Sequence, residues 1–352
     1  MTRTDPRAGC VGRRRPLPLL LLMSCLAGGG AGVLAQSAFV DDAKRSVTLP
    51  PRISRVFAAG APAEVLLYTL APEMLVGRNR VPEGDAVEFF PPAFRAPVFI
   101  RQLPEVDNPA ADAEFVALEP DVYIDYGTVN ADYAAVLDAV QKRTGVPGIL
   151  LDGTLDRISA TYRRLGTALG VADRGSRLAD AADRLLARYR GALAKGVPVR
   201  VYLACSGDGF QPCLADQATG EQLQWLGGVN VAGTRATAPR RGLTIEEITT
   251  MAPDVIVAGA PGAAAKMRSN AAWQSVPAVA AGRVYEWPSL PYSWSARPPS
   301  VNRLPGVVWL AYVAAGRSFD AAFDDDIRAF YRDFYHLELS DAQLQRLRGP
   351  RS

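Results

Sequence analysis

One phrase occurs twice in this chain and limits its fold more than any other feature. Residues 115–124 read FVALEPDVYI, and residues 248–257 read ITTMAPDVIV. In each copy a helix-like end is followed by Pro-Asp and then by an apolar run rich in β-branched residues. Proline ends the helix, because the residue before it is pushed out of the α region, and the apolar run is typical of a buried parallel strand. Two such units, placed alike in two halves, predict a duplicated α/β lobe with a cleft between the copies.

The remaining pattern is consistent with this duplication. The first half has predicted strands over 53–58, 74–77, 122–124 and 148–151, and predicted helices over 63–70, 132–142 and 155–169. The second half restarts the series with strands over 199–203, 228–232, 255–257 and 283–287, and helices over 221–226, 300–315 and 321–334. Residues 78–113 are rich in proline and aromatics without clear periodicity, so a loop is predicted there.

The helical pattern that starts near residue 176 has no strong break before Gly196, which makes it the natural connector between the halves. The 352 residues suffice for two domains of ordinary size. We therefore divide the chain into a first α/β lobe over 36–172, a connecting helix over 173–196 and a second lobe over 197–352.

The N-terminus has the features of a targeting signal, so residues 1–35 are expected to be a signal peptide. Residues 13–15 are all arginine, an apolar stretch follows, and residues 33–35 fit a cleavage site after Ala35. Residues 22–25 also resemble a lipoprotein box, which would leave Cys25 lipidated. The sequence thus predicts export to the periplasm and leaves soluble and lipid-anchored forms open.

The basic charge of the chain comes from this leader. Residues 1–35 hold five Arg and one Asp, a charge of +4, so the formal +3 of the whole chain becomes −1 for residues 36–352. A chain without a basic excess has no electrostatic footprint for nucleic acid, so no nucleic-acid partner is expected. No segment after the leader is long and apolar enough to span a bilayer.

The cysteines and the single histidine restrict the chemistry. Cys205 and Cys213 are the two cysteines after the leader, and in an exported protein they are expected to form a disulfide, with two free thiols as the alternative. His336 is the only histidine, whereas bare zinc or manganese sites use several imidazoles, so no bound metal ion and no cofactor are predicted. Walker, G-x-G-x-x-G, H-E-x-x-H and G-x-S-x-G signatures are absent, so no enzymatic activity is expected.

Four short segments are more informative in their order and spacing than any one of them alone. The two Pro-Asp units, residues 227–232 (GGVNVA) and residues 298–304 (PPSVNRL) resemble, in order and spacing, the periplasmic substrate-binding proteins of iron-siderophore, haem and cobalamin ABC importers. The resemblance covers residues 51–315. It implies an α/β fold class in which two doubly wound lobes are joined by a single long α-helix. It also implies a ligand in the interlobe cleft and docking on a membrane permease.

A metal chelate is the ligand that this resemblance and the composition favour, with a ferric siderophore as the first candidate. Ligands of open α/β sheets lie beyond the carboxyl ends of the strands, where aromatic rings supply contact area and arginine binds anionic groups. The candidate ligand-binding residues are Phe89, Phe90, Arg101, Tyr126, Phe210, Tyr292, Trp294 and Arg297. Tyr126, Tyr292, Trp294 and Arg297 are predicted to lie in exposed loops. Packing in the core is the alternative role for each candidate. An oxyanion such as molybdate, or a nickel complex, is the alternative ligand, and a two-lobed chelatase is the enzymatic alternative.

The resemblance further implies one surface acid on each lobe that meets arginines of the permease. Glu246, eight residues before Asp254, has this position in the second lobe. The equivalent position in the first lobe is Ala113, flanked by Asp112 and Glu114, either of which can substitute. An ordinary solvated helix face is the alternative for all three acids. The protein is expected to act as a monomer.

Overall fold

The structure, a computed structural model, describes residues 37–77, 82–95 and 109–349. The predicted signal peptide, the lipidation of Cys25 and the ligand contact of Arg101 lie outside the described residues.

Two parallel sheets have the same strand order. The first sheet has the order β3-β4-β5, and the second has the order β7-β6-β8-β9. A parallel bridge between Val56 and Leu75 occupies, beside β3, the place that β7 has beside β6. An antiparallel hairpin, β1-β2, precedes the first sheet. The strands are β1 (Ser37–Val40), β2 (Ser46–Leu49), β3 (Val56–Ala58), β4 (Val122–Gly127), β5 (Gly148–Asp152), β6 (Arg200–Ala204), β7 (Val229–Asn230), β8 (Val255–Ala258) and β9 (Val284–Glu286).

Helices cover both faces of each sheet, which is the doubly wound arrangement that the sequence predicted. The helices before the second sheet are α1 (Ala61–Leu70), α2 (Pro109–Val116), α3 (Ala131–Thr144), α4 (Ile158–Ala168) and α5 (Ala172–Tyr189). Those that follow are α6 (Ala218–Leu226), α7 (Ile245–Met251), α8 (Ala263–Ser269), α9 (Pro277–Ala280), α10 (Arg303–Ala315), α11 (Ala321–Tyr335) and α12 (Asp341–Arg348).

The second Pro-Asp unit locks the end of α7 to the start of β6. The Asp254 carboxylate accepts a hydrogen bond from the Arg200 backbone N–H at 2.8 Å, and the Asp254 N–H donates to the Arg200 carbonyl at 2.8 Å. The Arg200 guanidinium reaches back to the Met251 carbonyl at 2.7 Å, which satisfies a group that the helix end leaves unpaired. Ala252, the residue before the proline, is left-handed with φ 43°.

The first Pro-Asp unit has the same geometry. Asp121 exchanges hydrogen bonds with the Arg55 backbone at 2.8 and 2.9 Å, and the Arg55 guanidinium donates to the Glu119 carbonyl at 2.9 Å. Glu119 is left-handed with φ 48°. Asp121 also accepts from the backbone and hydroxyl of Ser54, at 2.7 and 3.1 Å. The repeated phrase is therefore a repeated structure, in which an arginine at the start of the neighbouring strand, Arg55 beside β3 and Arg200 in β6, holds the turn that precedes Pro-Asp.

These turns predict unequal mutational costs. Asp121→Ala is expected to lower the free energy of unfolding by about 2 kcal/mol and Asp254→Ala by about 1 kcal/mol, because a charged acceptor is lost in both and Asp121 accepts more bonds. Guanidinium unfolding curves of the two variants, each the matched control of the other, measure the difference. Equal losses, or a larger loss from Asp254→Ala, would contradict the assignment.

The largest apolar cluster runs through both lobes. It contains Ile124 and Leu151 from the first sheet, Leu186 from α5, and Leu203 and Val257 from the second sheet. Each sheet has a separate, smaller apolar cluster on its other face. The two lobes therefore share one core along α5 and do not have wholly independent interiors.

Candidate ligand cleft

An ion pair between a buried arginine and a partly exposed glutamate joins the lobes where the carboxyl end of β5 meets α6. The Arg303 side chain, 0% exposed, pairs with Glu221 at 2.6 Å and also donates to the Gly153 carbonyl. The Glu221 carboxylate in turn accepts from the Leu155 backbone N–H at 2.8 Å. Glu221 and Arg303 belong to the second half of the chain, and Gly153 and Leu155 to the first. The network therefore links the two lobes.

Tyr126 lies close to this network but is not in an exposed loop. It is the penultimate residue of β4 and is 1% exposed, so the expectation of exposure was wrong. Burial raises the pKa of its phenol, and its hydroxyl has no hydrogen-bond partner among the described residues. The cause of the error is the length of β4, which extends to Gly127 and carries Tyr126 into the interior.

Aromatic rings from both lobes meet in one cluster between them. Phe90 is 2% exposed, and its ring packs edge-to-face against two tyrosine rings. The centroid of the Phe90 ring lies 5.6 Å from that of Tyr292 and 5.4 Å from that of Tyr68 of α1. Tyr292 contacts Tyr335 of α11 at 5.9 Å. Two of the predicted ligand contacts, one from each half of the chain, thus lie against each other. We call Tyr68, Phe90, Tyr292 and Tyr335 the interlobe aromatic cluster.

Phe89 and Trp294 extend this cluster into the core. Phe89, 0% exposed, contacts Tyr331 of α11 at 6.1 Å. The Trp294 indole, also 0% exposed, donates to the Tyr331 hydroxyl at 3.3 Å. The expectation that Trp294 is exposed was wrong, because α11 covers the loop that contains it. The packing role set out as the alternative describes what both side chains do in the structure.

Arg297 and Phe210 occupy different surroundings. Arg297 is exposed, and its guanidinium donates to the Cys205 carbonyl at 3.0 Å. Cys205 and Cys213 form the predicted disulfide, with Cα atoms 5.2 Å apart. Phe210 is half-buried against Trp273 at 5.3 Å, in the apolar cluster on the other face of the second sheet. The structure therefore does not bring Phe210 to the interlobe aromatic cluster.

Sequence reasoning missed a group of cations at the edge of the second sheet where its strands have their carboxyl ends. The loop over 231–243 follows the carboxyl end of β7, and it is joined to the disulfide loop by the Leu243 N–H, which donates to the Phe210 carbonyl at 2.7 Å. Arg235 and Arg240 are exposed in this loop. The signal that could have found them is the local sequence over 234–242, TRATAPRRG, because loops after parallel strands line the ligand crevice.

The docking candidates differ in their surroundings. Asp112 makes two hydrogen bonds to the Arg143 guanidinium, at 2.7 and 3.2 Å, and its side chain is 14% exposed. Glu114 is exposed on α2, and Glu246 is exposed in the first turn of α7. The neighbouring Glu247 is already engaged: its bond from Arg241, together with the Thr244 N–H, lowers the pKa of its carboxyl to about 2.

Two other kinds of site are absent from the described residues. No group of three or more His, Cys, Asp or Glu side chains there is placed to hold a metal ion. No helix in the same ranges has the length and apolar character needed to cross a membrane.

The fold and cleft define a two-lobed binding protein, and the comparisons agree. The chain belongs to the periplasmic binding protein family, whose model matches residues 114–291. This family supplies solute-binding proteins to ABC importers and implies a periplasmic location. No curated protein matches the sequence.

Solved structures with the same fold are numerous. An ABC transporter solute-binding protein from Sulfurospirillum deleyianum has a TM-score of 0.76 at 22% identity, covering 88% of this chain and 98% of that chain. The molybdate-bound periplasmic protein MolA from Haemophilus influenzae has a TM-score of 0.65 at 19% identity, with 86% and 99% covered. The vitamin B12 binding protein BtuF of Vibrio cholerae has a TM-score of 0.57 at 20% identity, with 75% and 97% covered. At these identities the likeness establishes the fold, and the predicted two-lobe α/β class is confirmed.

Proposed function

We propose that this protein captures an anionic ferric chelate of the siderophore class between its lobes and delivers it to the permease of an ABC importer. The observation that carries the proposal is the contact of Phe90 with Tyr292 across the lobes, with Arg297 exposed on the loop that holds Tyr292. Aromatic faces suit the organic shell of a chelate, and a guanidinium suits its negative charge.

Two further observations support a preformed complex as the ligand. No group of three or more His, Cys, Asp or Glu side chains in the described residues is placed to hold a bare metal ion, which favours a ligand that brings its own donor atoms. Arg235 and Arg240 add positive charge to loops at the carboxyl edge of the second sheet. A rim of this sign raises the local concentration of an anionic ligand and its association rate.

Entry of the ligand has a structural requirement. Phe90 touches Tyr292, so a chelate enters between the lobes only when this contact opens. Ring–ligand contacts then replace ring–ring contacts, and the ligand biases the lobes toward the arrangement that holds it. We also propose the division into lobes over 36–172 and 197–352 with α5 as connector. The mature protein would act as a monomer without enzymatic activity, and Glu246 and Glu114 would be its docking acids.

Titration of the purified protein with defined ligands tests the proposal. A ferric tris-catecholate should quench the intrinsic tryptophan fluorescence with saturation, whereas molybdate, a nickel–histidine complex and the iron-free catecholate should bind at least ten times more weakly. Native mass spectrometry of protein purified from its own host should show a bound mass in the range of an organic chelate. Saturable binding of molybdate without binding of the ferric chelate would overturn the proposal in favour of an oxyanion carrier.

Substitutions in the cleft should weaken the chelate. Tyr292→Ala is expected to raise the Kd about 30-fold, equivalent to about 2 kcal/mol, because an aromatic contact at the centre of the site is lost. Arg297→Ala is expected to raise it about 10-fold and to reduce its salt dependence. Tyr292→Phe should bind nearly as well as the unmodified protein, because it keeps the ring.

The matched control for these variants is Tyr133→Ala, which removes a ring that is 44% exposed on α3. Unfolding curves would verify that each variant is folded. An unchanged Kd in folded Tyr292→Ala would remove this residue from the site.

A further inference from the structure

A cavity lies along the exposed side of α5, near the end of α11. Its volume is about 320 Å³, within the range of small-ligand pockets, although close to the lower limit. None of its lining residues belongs to the predicted ligand contacts of the cleft. They are Arg174, Arg177, Leu178, Asp180, Arg184, Asp333 and His336.

Three guanidinium groups line this cavity from a single helix. Arg174, Arg177 and Arg184 all belong to α5. At 3.6 residues per turn they lie within about 80° of one another around the helix and span about 15 Å along it. Arginine side chains are long and flexible, so the three can approach one ligand from the same wall of the cavity.

The acids of the cavity are largely engaged elsewhere. Asp180 shares the Arg163 guanidinium of α4 with Asp183, at 2.6 and 3.0 Å, and Asp333 pairs with the adjacent Arg332 at 3.0 Å. Arg174 pairs with Glu73 at 2.9 Å. In the described parts of the chain neither Arg177 nor Arg184 has an ion-pair partner, and both are exposed. With three arginines against two aspartates, the lining residues have a formal charge of +1 when the histidine is neutral.

His336 lines the cavity from the end of α11. It ends α11 in a left-handed conformation with φ 55°, and its Nε2 lies 3.1 Å from the Tyr68 carbonyl oxygen. A proton on Nε2 satisfies this contact. Burial lowers the pKa of the imidazole, and the Arg174 guanidinium lowers it further. A bound anion would act in the opposite direction on the same ring.

We infer that this cavity binds a small polyanion bearing carboxylate or phosphate groups, at a site separate from the interlobe cleft. The guanidinium fork forms paired hydrogen bonds with both kinds of group, which is why the chemistry of the two is shared. Arg177 and Arg184 lack ion-pair partners in the described residues, and they line the cavity together with Arg174 and His336. Several cationic groups around one recess suit an anion that carries more than one charge. The inference does not depend on the identity of the transported ligand.

The single histidine makes the test direct. Because His336 is the only histidine of the chain, the imidazole signals in a ¹⁵N–¹H spectrum of untagged protein need no assignment. Titration with citrate or with inorganic phosphate at constant pH and ionic strength should move these signals with saturation. Chloride at the same ionic strength should not. The response to citrate relative to phosphate tells which group the site prefers.

Variants complete the test. The double variant Arg177→Ala with Arg184→Ala should weaken the saturable response at least tenfold, and because both side chains are exposed the fold should be retained. The control, Arg52→Ala with Lys142→Ala, removes two exposed cations outside the cavity and should leave the response unchanged. Equal shifts from chloride and citrate, or an unchanged response in the Arg177/Arg184 variant, would overturn the inference.

Discussion

Glu221→Leu is expected to lower the free energy of unfolding by about 3–5 kcal/mol, because it leaves a buried guanidinium without its counter-ion. The Arg303 side chain is 0% exposed, and the carboxylate that pairs with it at 2.6 Å is 26% exposed. A leucine at position 221 supplies no acceptor to this guanidinium. The Leu155 N–H would also lose its acceptor, the other oxygen of Glu221. Guanidinium unfolding monitored by circular dichroism and tryptophan fluorescence measures the loss.

A double-mutant cycle separates the ion pair from the size of the side chains. Arg303→Met alone should also destabilise the protein, but the combination with Glu221→Leu should cost less than the sum of the single changes by about 1–3 kcal/mol. The reason is that the double variant contains no uncompensated buried charge. The control is Arg297→Met, which changes an exposed arginine in the loop that precedes α10. It should lower the free energy of unfolding by less than about 0.5 kcal/mol. Additive losses across the cycle would contradict the ion-pair assignment.

This network bears on how the lobes move. Arg303, at the start of α10, bonds to the Gly153 carbonyl after β5, and the Ser300 hydroxyl bonds to the Pro62 carbonyl in α1 at 2.8 Å. The apolar cluster that contains α5 also continues across both sheets. Independent rotation of the lobes would have to break these contacts.

The duplicated architecture could be predicted because its signals are local. Proline, apolar runs and helical spacing act within about ten residues, and they located both Pro-Asp units and the strands that follow. The arginines that hold these turns, Arg55 and Arg200, could not be predicted, because each acts on residues more than 50 positions away in the sequence. The hairpin β1-β2 and the helix α12 were not predicted either.

The connecting helix shows how tertiary contacts override local pattern. The sequence predicted its end at Gly196, whereas α5 ends at Tyr189. The next residues turn toward α6: the Gly191 N–H donates to the Trp225 carbonyl at 3.0 Å, and the Leu193 N–H donates to the Leu226 carbonyl at 2.7 Å. These partners are supplied by a distant part of the chain, so periodicity alone cannot reveal them.

The ligand-binding role of the candidate residues stays a prediction, and the structure bears only on where their side chains lie. Phe90 and Tyr292 lie together across the lobes. Exposure was the weak point, since Tyr126 and Trp294 are covered by elements that become neighbours only in the folded protein. Arg303 stood in the segment that carried the family resemblance, but its role as a buried ion-pair partner depends on Glu221, 82 residues earlier.

Glu246→Lys is expected to reduce delivery to the permease at least tenfold while leaving the affinity for the chelate unchanged within a factor of two. This expectation rests on the proposed docking role of Glu246. A lysine facing permease arginines replaces attraction by like-charge repulsion, which costs several kcal/mol in a desolvated interface. Glu246 is exposed at the start of α7, and in the described residues its carboxylate has no ion-pair partner, so the substitution should not disturb the fold. Uptake into proteoliposomes containing the permease, beside a fluorescence titration of the free protein, measures the two quantities separately.

The first lobe provides a comparison that the structure makes specific. Glu114→Lys should reduce uptake as Glu246→Lys does, whereas Asp112→Asn should chiefly lower stability, because Asp112 is bound to Arg143 through both carboxylate oxygens. Glu338→Lys, a change of the same charge in the loop between α11 and α12, is the control and should leave uptake unaltered. If Asp112→Asn abolished uptake with stability intact and Glu114→Lys did nothing, the docking acid of the first lobe would be Asp112. The pseudo-symmetry of the two Pro-Asp units would then relate the folds of the lobes without relating the exposed acids that contact the permease.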